Sequence, residues 1–230
     1  MDIKKDMLYS YYRIRKIIGL LGIALPILIY IFHGELLSSI SHYYYSRSAV
    51  FFIAILSAFG LLLISYKGYE KDKDTEIFSD NLITHIGGIA ALLVVLLPTT
   101  CIGSNSAEIT NMCLLQNYPL FGHDNEIIRI IHLLSAGVFL FAMGYMSIFR
   151  FTKGKLTDEK KTKNRIYRFC GIAVWVSICI LAVESILPNF HFTEYDVFIF
   201  ETVSVVAFGI AWLVKGEAIK DIIELKNKLF

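Results

Sequence analysis

Arg129 and His132 stand three residues apart in an otherwise almost wholly apolar stretch, so on a helix they share one face. Glu184, Glu201 and His85 also lie in apolar surroundings. A charged group near the centre of a bilayer costs roughly 2.5–3.5 kcal/mol on insertion scales, so such residues face protein or water and mark candidate sites. A polar run, Ser38-Ser39-Ile40-Ser41-His42-Tyr43-Tyr44-Tyr45, followed by Arg47, adds hydroxyls and an imidazole. Three kinds of chemistry fit. Arg129, Glu184 and Glu201 can form an ion-pair network that ties helix ends together, with His132 hydrogen-bonded to a serine. Alternatively, Arg129, His132, Glu184, Glu201 and Arg47 can serve a water-filled pocket that holds a polar headgroup or small anion. The third chemistry is catalytic: His132 or His42 as general base, Glu201 orienting it or acting as acid, and Ser41 or a water as nucleophile. The chain has neither a GxSxG nor an HExxH motif. His42, His132 and Glu201 carry metal-ligating atoms, but three singly placed residues are not a ligand motif, and no metal or other cofactor is expected.

The elements that must position these groups are apolar runs. Six stretches, near Ile17–Phe32, Ser48–Tyr66, Leu82–Cys101, Ile127–Phe149, Phe169–Leu187 and Val197–Val214, approach the roughly 20 residues that cross a hydrocarbon core. The 230 residues are 56% hydrophobic and 18% charged, with mean hydropathy +0.59, which excludes an ordinary soluble domain. The expected fold is an all-α, integral membrane bundle of six transmembrane helices forming a single membrane domain over residues 1–230. The first span is not read as a cleaved signal peptide, since Ile31-Phe32-His33-Gly34 lacks a small-x-small site.

Lysine and arginine orient the bundle. Of 22, all but Arg47 and Arg129 fall in the N-terminal tail, the second and fourth loops and the C-terminal tail. Positive loops stay in the cytoplasm, so both termini are expected inside, in a bacterial inner membrane. At about 1.5 Å per residue, Arg129, His132, Glu184 and Glu201 then lie about one turn from the outer ends of their helices. Thr99, Thr100 and the Ser38–Arg47 loop join them at that level, whereas His85 is near the inner end, within reach of Asp80 or the inner headgroups. The basic Arg150–Arg168 loop reflects topology and attraction to anionic lipid, not nucleic acid. Membrane lipids are the expected partners, and an oligomer is compatible with the pattern. The tail 216–230 reads as an amphipathic helix on the inner surface, or as a continuation of the sixth helix.

Finer features follow from single residues. Cys101 and Cys113 flank the third external segment; a disulfide there would contribute on the order of 2–3 kcal/mol, and the sequence leaves open whether it forms. Cys170 and Cys179 read as small apolar packing residues. Asp80 and Asn81 are candidate caps of the third span, Gly87-Gly88 allow close approach of a neighbouring helix, and Pro26 interrupts the first. The Ser/Tyr loop is too aromatic for a solvated linker and is expected to fold back over the bundle mouth.

Three short motifs carry a family resemblance. Ser39-Ile40-Ser41 after the first span, His132-x-x-x-Ala136 opening the fourth, and Glu201…Ala207-Phe208-Gly209…Trp212-Leu213-Val214-Lys215-Gly216 resemble a group of uncharacterised bacterial six-span membrane proteins. That group is distantly similar to the DRAM-like and GPI-anchor-remodelling membrane proteins. The resemblance implies six spans, cytoplasmic termini and a connection with lipids. It supplies no catalytic residue, and the sequence departs from the eukaryotic pattern around Tyr43–Ser46.

Overall fold

The computed structural model describes residues 3–68, 78–187 and 190–218, and these are helical with no strand among the described residues. Seven α-helices follow in order: α1 (Ile3–His33), α2 (Ala49–Ile64), α3 (Asp80–Leu96), α4 (Ala107–Leu114), α5 (Glu126–Tyr145), α6 (Asp158–Ile186) and α7 (Asp196–Lys215). A 3-10 segment, Ile40–Tyr45, precedes α2, and a π turn, Met146–Arg150, extends α5. Four helices are long and apolar enough to cross a membrane: α1 from Ser10, α5 with its π turn, α6 and α7. The other two expected spans, α2 and α3, are apolar but reach only 16 and 17 residues. Their ends have local causes. Pro98 disfavours helical geometry at Leu97, so α3 stops at Leu96, short of the expected Cys101. Conversely, α1 and α6 run further than their apolar cores. The Thr157 hydroxyl accepts from Lys160 N and starts α6 among charged residues, with Asp158 and Glu159 in the first turn. Residues 219–230 of the expected amphipathic tail lie outside the described residues.

Each of the six long helices packs against two neighbours, closing the circuit α1–α2–α3–α5–α6–α7–α1. Where lipid offers no hydrophobic drive, small residues let backbones approach. A Cβ on Gly88 of α3 would come within 2.7 Å of the Gly60 carbonyl of α2, and one on Gly209 of α7 equally close to the Gly19 carbonyl of α1. Inside the ring, Phe59, Phe139 and Phe208 pack with centroids 5.2–6.0 Å apart, and Phe208 continues to Trp212 at 6.0 Å. All four are buried. Phe139 and Phe208 lie about two turns from His132 and Glu201 along α5 and α7, and Trp212 about three turns from Glu201.

The end of the bundle where α3 starts has a buried ion pair that the sequence reading did not anticipate. The Arg150 guanidinium donates from Nε to Asp80, with the two residues 1% and 2% exposed. Asp80 is therefore not the cap of α3. Ser79 is, accepting from Leu82 N at 3.0 Å. His85 Nδ1 lies 2.6 Å from the Asn81 carbonyl rather than on Asp80.

At the opposite end of the bundle the 3-10 segment is wholly buried and lies across the mouth. Ser48 Oγ donates to the Ile29 carbonyl (2.7 Å) and Phe198 N to the Ser38 carbonyl (3.0 Å), joining the segment's flanks to α1 and α7. Cys101 and Cys113 are joined in a disulfide, Cα atoms 5.7 Å apart, tying the start of the segment between α3 and α5 to α4. Cys170 and Cys179 are free.

Candidate functional site

A cavity of about 510 Å³ opens at the end of the bundle crossed by the 3-10 segment. The Ser38–His42 segment, Thr99–Gly103, the first turns of α5 and the residues around the start of α7 form its walls. Hydroxyls of Ser38, Ser39, Ser41, Thr99 and Thr100 share it with His42, His132, Arg129 and Glu201; Ile102, Leu133, Phe192 and Val197 give it apolar patches.

Ser41 and His132 meet in this cavity although 91 residues separate them. His132 Nε2 lies 2.9 Å from Ser41 Oγ, and Nδ1 lies 2.8 Å from the Leu97 carbonyl. A carbonyl only accepts, so Nδ1 carries a proton, and in the neutral ring Nε2 accepts from the Ser41 hydroxyl. The imidazole is 1% exposed and fixed in ring plane and tautomer. The chain end of α3, freed from helix by Pro98, supplies the orienting carbonyl. A hydroxyl, a neutral imidazole and an acceptor on its far nitrogen form the hydrogen-bonded order of an activated nucleophile.

Glu201 acts on the segment and not on the ring. Its Oε2 accepts from Ser39 Oγ (2.9 Å) and from Ile40 N (2.7 Å), and Ser39 Oγ in turn accepts from Ser41 N (3.0 Å). One carboxylate on α7 thus holds the turn that presents Ser41. The expectation that Glu201 orients His132 is corrected here: the Leu97 carbonyl does so.

His42 Nδ1 lies 2.9 Å from Ser38 Oγ. Burial pushes its pKa from 6.5 down to about 4, against the pull of the Ile102 and Thr100 carbonyls, so the ring is neutral at ordinary pH. Tyr45 anchors the next turn. Its hydroxyl donates to the Thr99 carbonyl (2.6 Å) and accepts from His123 N (3.1 Å), and burial raises it to about 12.

The remaining expected residues divide. Arg129 lines the cavity, but its guanidinium pairs with Glu126 one turn back, not with Glu184 or Glu201. The ion-pair network expected among those three does not form because Asn125 caps α5 and sets Glu126 in its first turn, on the face of Arg129. Arg47 is exposed and does not line the cavity. Glu184 is 6% exposed and stands behind the wall, with one donor atom within 4.8 Å of donor atoms on His191 and Asp196. Asp196 accepts from Phe192 N, Thr193 N and Thr193 Oγ1. His42, His132 and Glu201, weighed as metal ligands, instead serve three separate hydrogen-bond sets.

Sequence reasoning placed the serines of the Ser38–Arg47 loop at this level and missed the Leu97 carbonyl and the His191–Asp196 wall. Ser38 and Ser39 were legible from the Ser-Ser-x-Ser spacing beside His42; a backbone carbonyl leaves no signal in residue types. The chain matches no protein-family model, no curated protein and no solved structure. Its site is therefore read from its own geometry.

Proposed function

We propose that this is a multi-pass protein of a bacterial inner membrane, with six spans and both termini in the cytoplasm, whose outward-facing cavity binds a lipid headgroup or other small polar ligand. The observation that carries the reading is the 510 Å³ cavity itself, where hydroxyls, three imidazoles and Arg129 alternate with apolar patches. That mixture suits a polar headgroup with the first atoms of its chains. Six spans follow if the bilayer thins around α2 and α3, which costs fractions of a kcal/mol per Å of mismatch. The lysine and arginine distribution supplies the orientation. The resemblance to lipid-linked membrane proteins points the same way. Native mass spectrometry of the purified protein tests the reading. A bound phospholipid is expected on the wild type and depleted on Arg129→Ala and Glu201→Gln; equal bound mass and equal thermal midpoints in all three would remove the idea.

A second reading, a lipid-modifying enzyme, rests on the Ser41–His132 hydrogen bond. In it, Ser41 Oγ bonds to an ester carbonyl carbon while its proton passes to His132 Nε2. The proton then goes to the departing alkoxide; water, deprotonated by the same imidazole, adds to the acyl carbon, and Ser41 Oγ leaves it as it takes that proton back from Nε2. Covalent labelling by a fluorophosphonate, lost in Ser41→Ala and in His132→Ala, is the expected result; an unlabelled wild type would leave the cavity as a binding site alone. A third reading, a small transporter, pore or membrane-disrupting effector, needs a wet path from the cavity to His85; the buried rings of Phe59, Phe139, Phe208 and Trp212 between them count against it.

A further inference from the structure

A second cavity, about 250 Å³, opens at the opposite end of the bundle. Tyr12 and Arg15 of α1, the loop Lys153–Thr157, the first turns of α6 and the end of α7 enclose it. Six cations line it, Arg15, Lys153, Lys155, Lys160, Lys163 and Lys215, against the carboxylates Glu159 and Glu217. The orientation rule accounts for cations in solvated loops. It does not account for cations drawn together under cover. Lys215 is only 8% exposed, its ammonium over the Phe151 ring at 5.5 Å. Lys160 is half-buried, donates to the Phe151 carbonyl (2.6 Å) and lies over the Tyr167 ring. Arg15 donates to Tyr66 Oη (3.0 Å), and its buried Nε has no acceptor among the described residues. Two carboxylates face six cations in this lining; both reach Lys163, at 2.7 Å (Glu217) and 2.9 Å (Glu159), and Asp80 and Glu217 also act on Lys215. Like charges brought out of water need an opposite charge, and an anion in the cavity would provide it.

We propose that this cavity binds a phosphate group, with Arg15, Lys155, Lys160 and Lys215 as its cationic contacts and the hydroxyls of Tyr12 and Thr157 as further donors. The phosphate belongs either to an anionic lipid headgroup that reaches around the helix ends or to a free phosphorylated molecule. Only the lipid source rests on the membrane orientation given above; the phosphate chemistry does not.

The test uses the full chain purified in detergent, at fixed ionic strength. Thermal midpoint and affinity are measured with phosphatidic acid in mixed micelles, with phosphatidylcholine as control, and separately with inorganic phosphate against chloride. A rise with phosphatidic acid but not with phosphatidylcholine or inorganic phosphate identifies a lipid headgroup. A rise with inorganic phosphate as well identifies a free phosphate. Lys155→Gln and Lys160→Gln should each weaken the ligand on the order of fivefold. Lys161→Gln, on an exposed residue of the same helix outside the cavity, should leave it unchanged. Lys155 is exposed, so its replacement leaves the packing intact. No response to either probe overturns the proposal, and so does equal weakening by all three substitutions, which would mean diffuse surface charge.

Discussion

His132 gains its chemical character from two contacts, one to a hydroxyl and one to a carbonyl. Ser41→Ala removes the hydroxyl and leaves the imidazole held by Leu97, so folding should survive while fluorophosphonate labelling is lost. His42 makes a different prediction. Its folded pKa, about 4, lies below the unfolded 6.5, so the unfolded chain takes up the proton first. The stabilisation is complete above about pH 6.5 and is lost as pH falls towards 4. The thermal midpoint should therefore drop across that window, and His42→Asn should make the drop shallower; superimposable pH profiles would contradict a buried neutral ring. Glu201 was legible as a charge in an apolar helix, but its task was not. Its oxygens find Ser39 and Ile40 because the Ser38–His42 turn folds under α7, a tertiary fact that no spacing along α7 records. Arg47 shows the converse: a cation in an interesting loop that ends in solvent.

Between elements, helix seams carry the fold. The contact of Gly209 with Gly19 leaves no room for a side chain, so Gly209→Leu should overpack the α1–α7 seam and cost about 1–3 kcal/mol, read as a lower thermal midpoint with Gly137→Leu as the open-space control. Asp80→Ala would strip the Arg150 guanidinium of its carboxylate inside the bundle, at about 3–5 kcal/mol. The Gly-Gly approach in α3 was readable from composition. The Asp80–Arg150 pair was not, since the two are 70 residues apart and each sits beside charges that already explain it as an interfacial residue. Reduction of Cys101–Cys113 should loosen the external segment by about 2–3 kcal/mol without dissolving the bundle, because the helix ring has no part in it.

The whole molecule is an all-helical ring with a polar cavity at one end and a basic cavity at the other, separated by an aromatic layer. Apolar periodicity and the cation count made the helices and the two unlike ends legible. Helix lengths were less so, because Pro98 and the charged start of α6 move the boundaries away from the apolar runs. With single cysteines introduced into a background lacking the native ones, impermeant thiol reagents on intact cells should label position 47 and spare position 161; labelling of position 161 from outside would reverse the orientation.

Ligand binding in the Ser41–His132 cavity is tested most directly by determining the structure of the protein in lipid nanodiscs without added ligand. Density for a lipid headgroup within hydrogen-bond distance of Ser41, His132 or Arg129 is the expected result. A cavity closed by its own side chains, or holding only ordered water, would contradict ligand binding there.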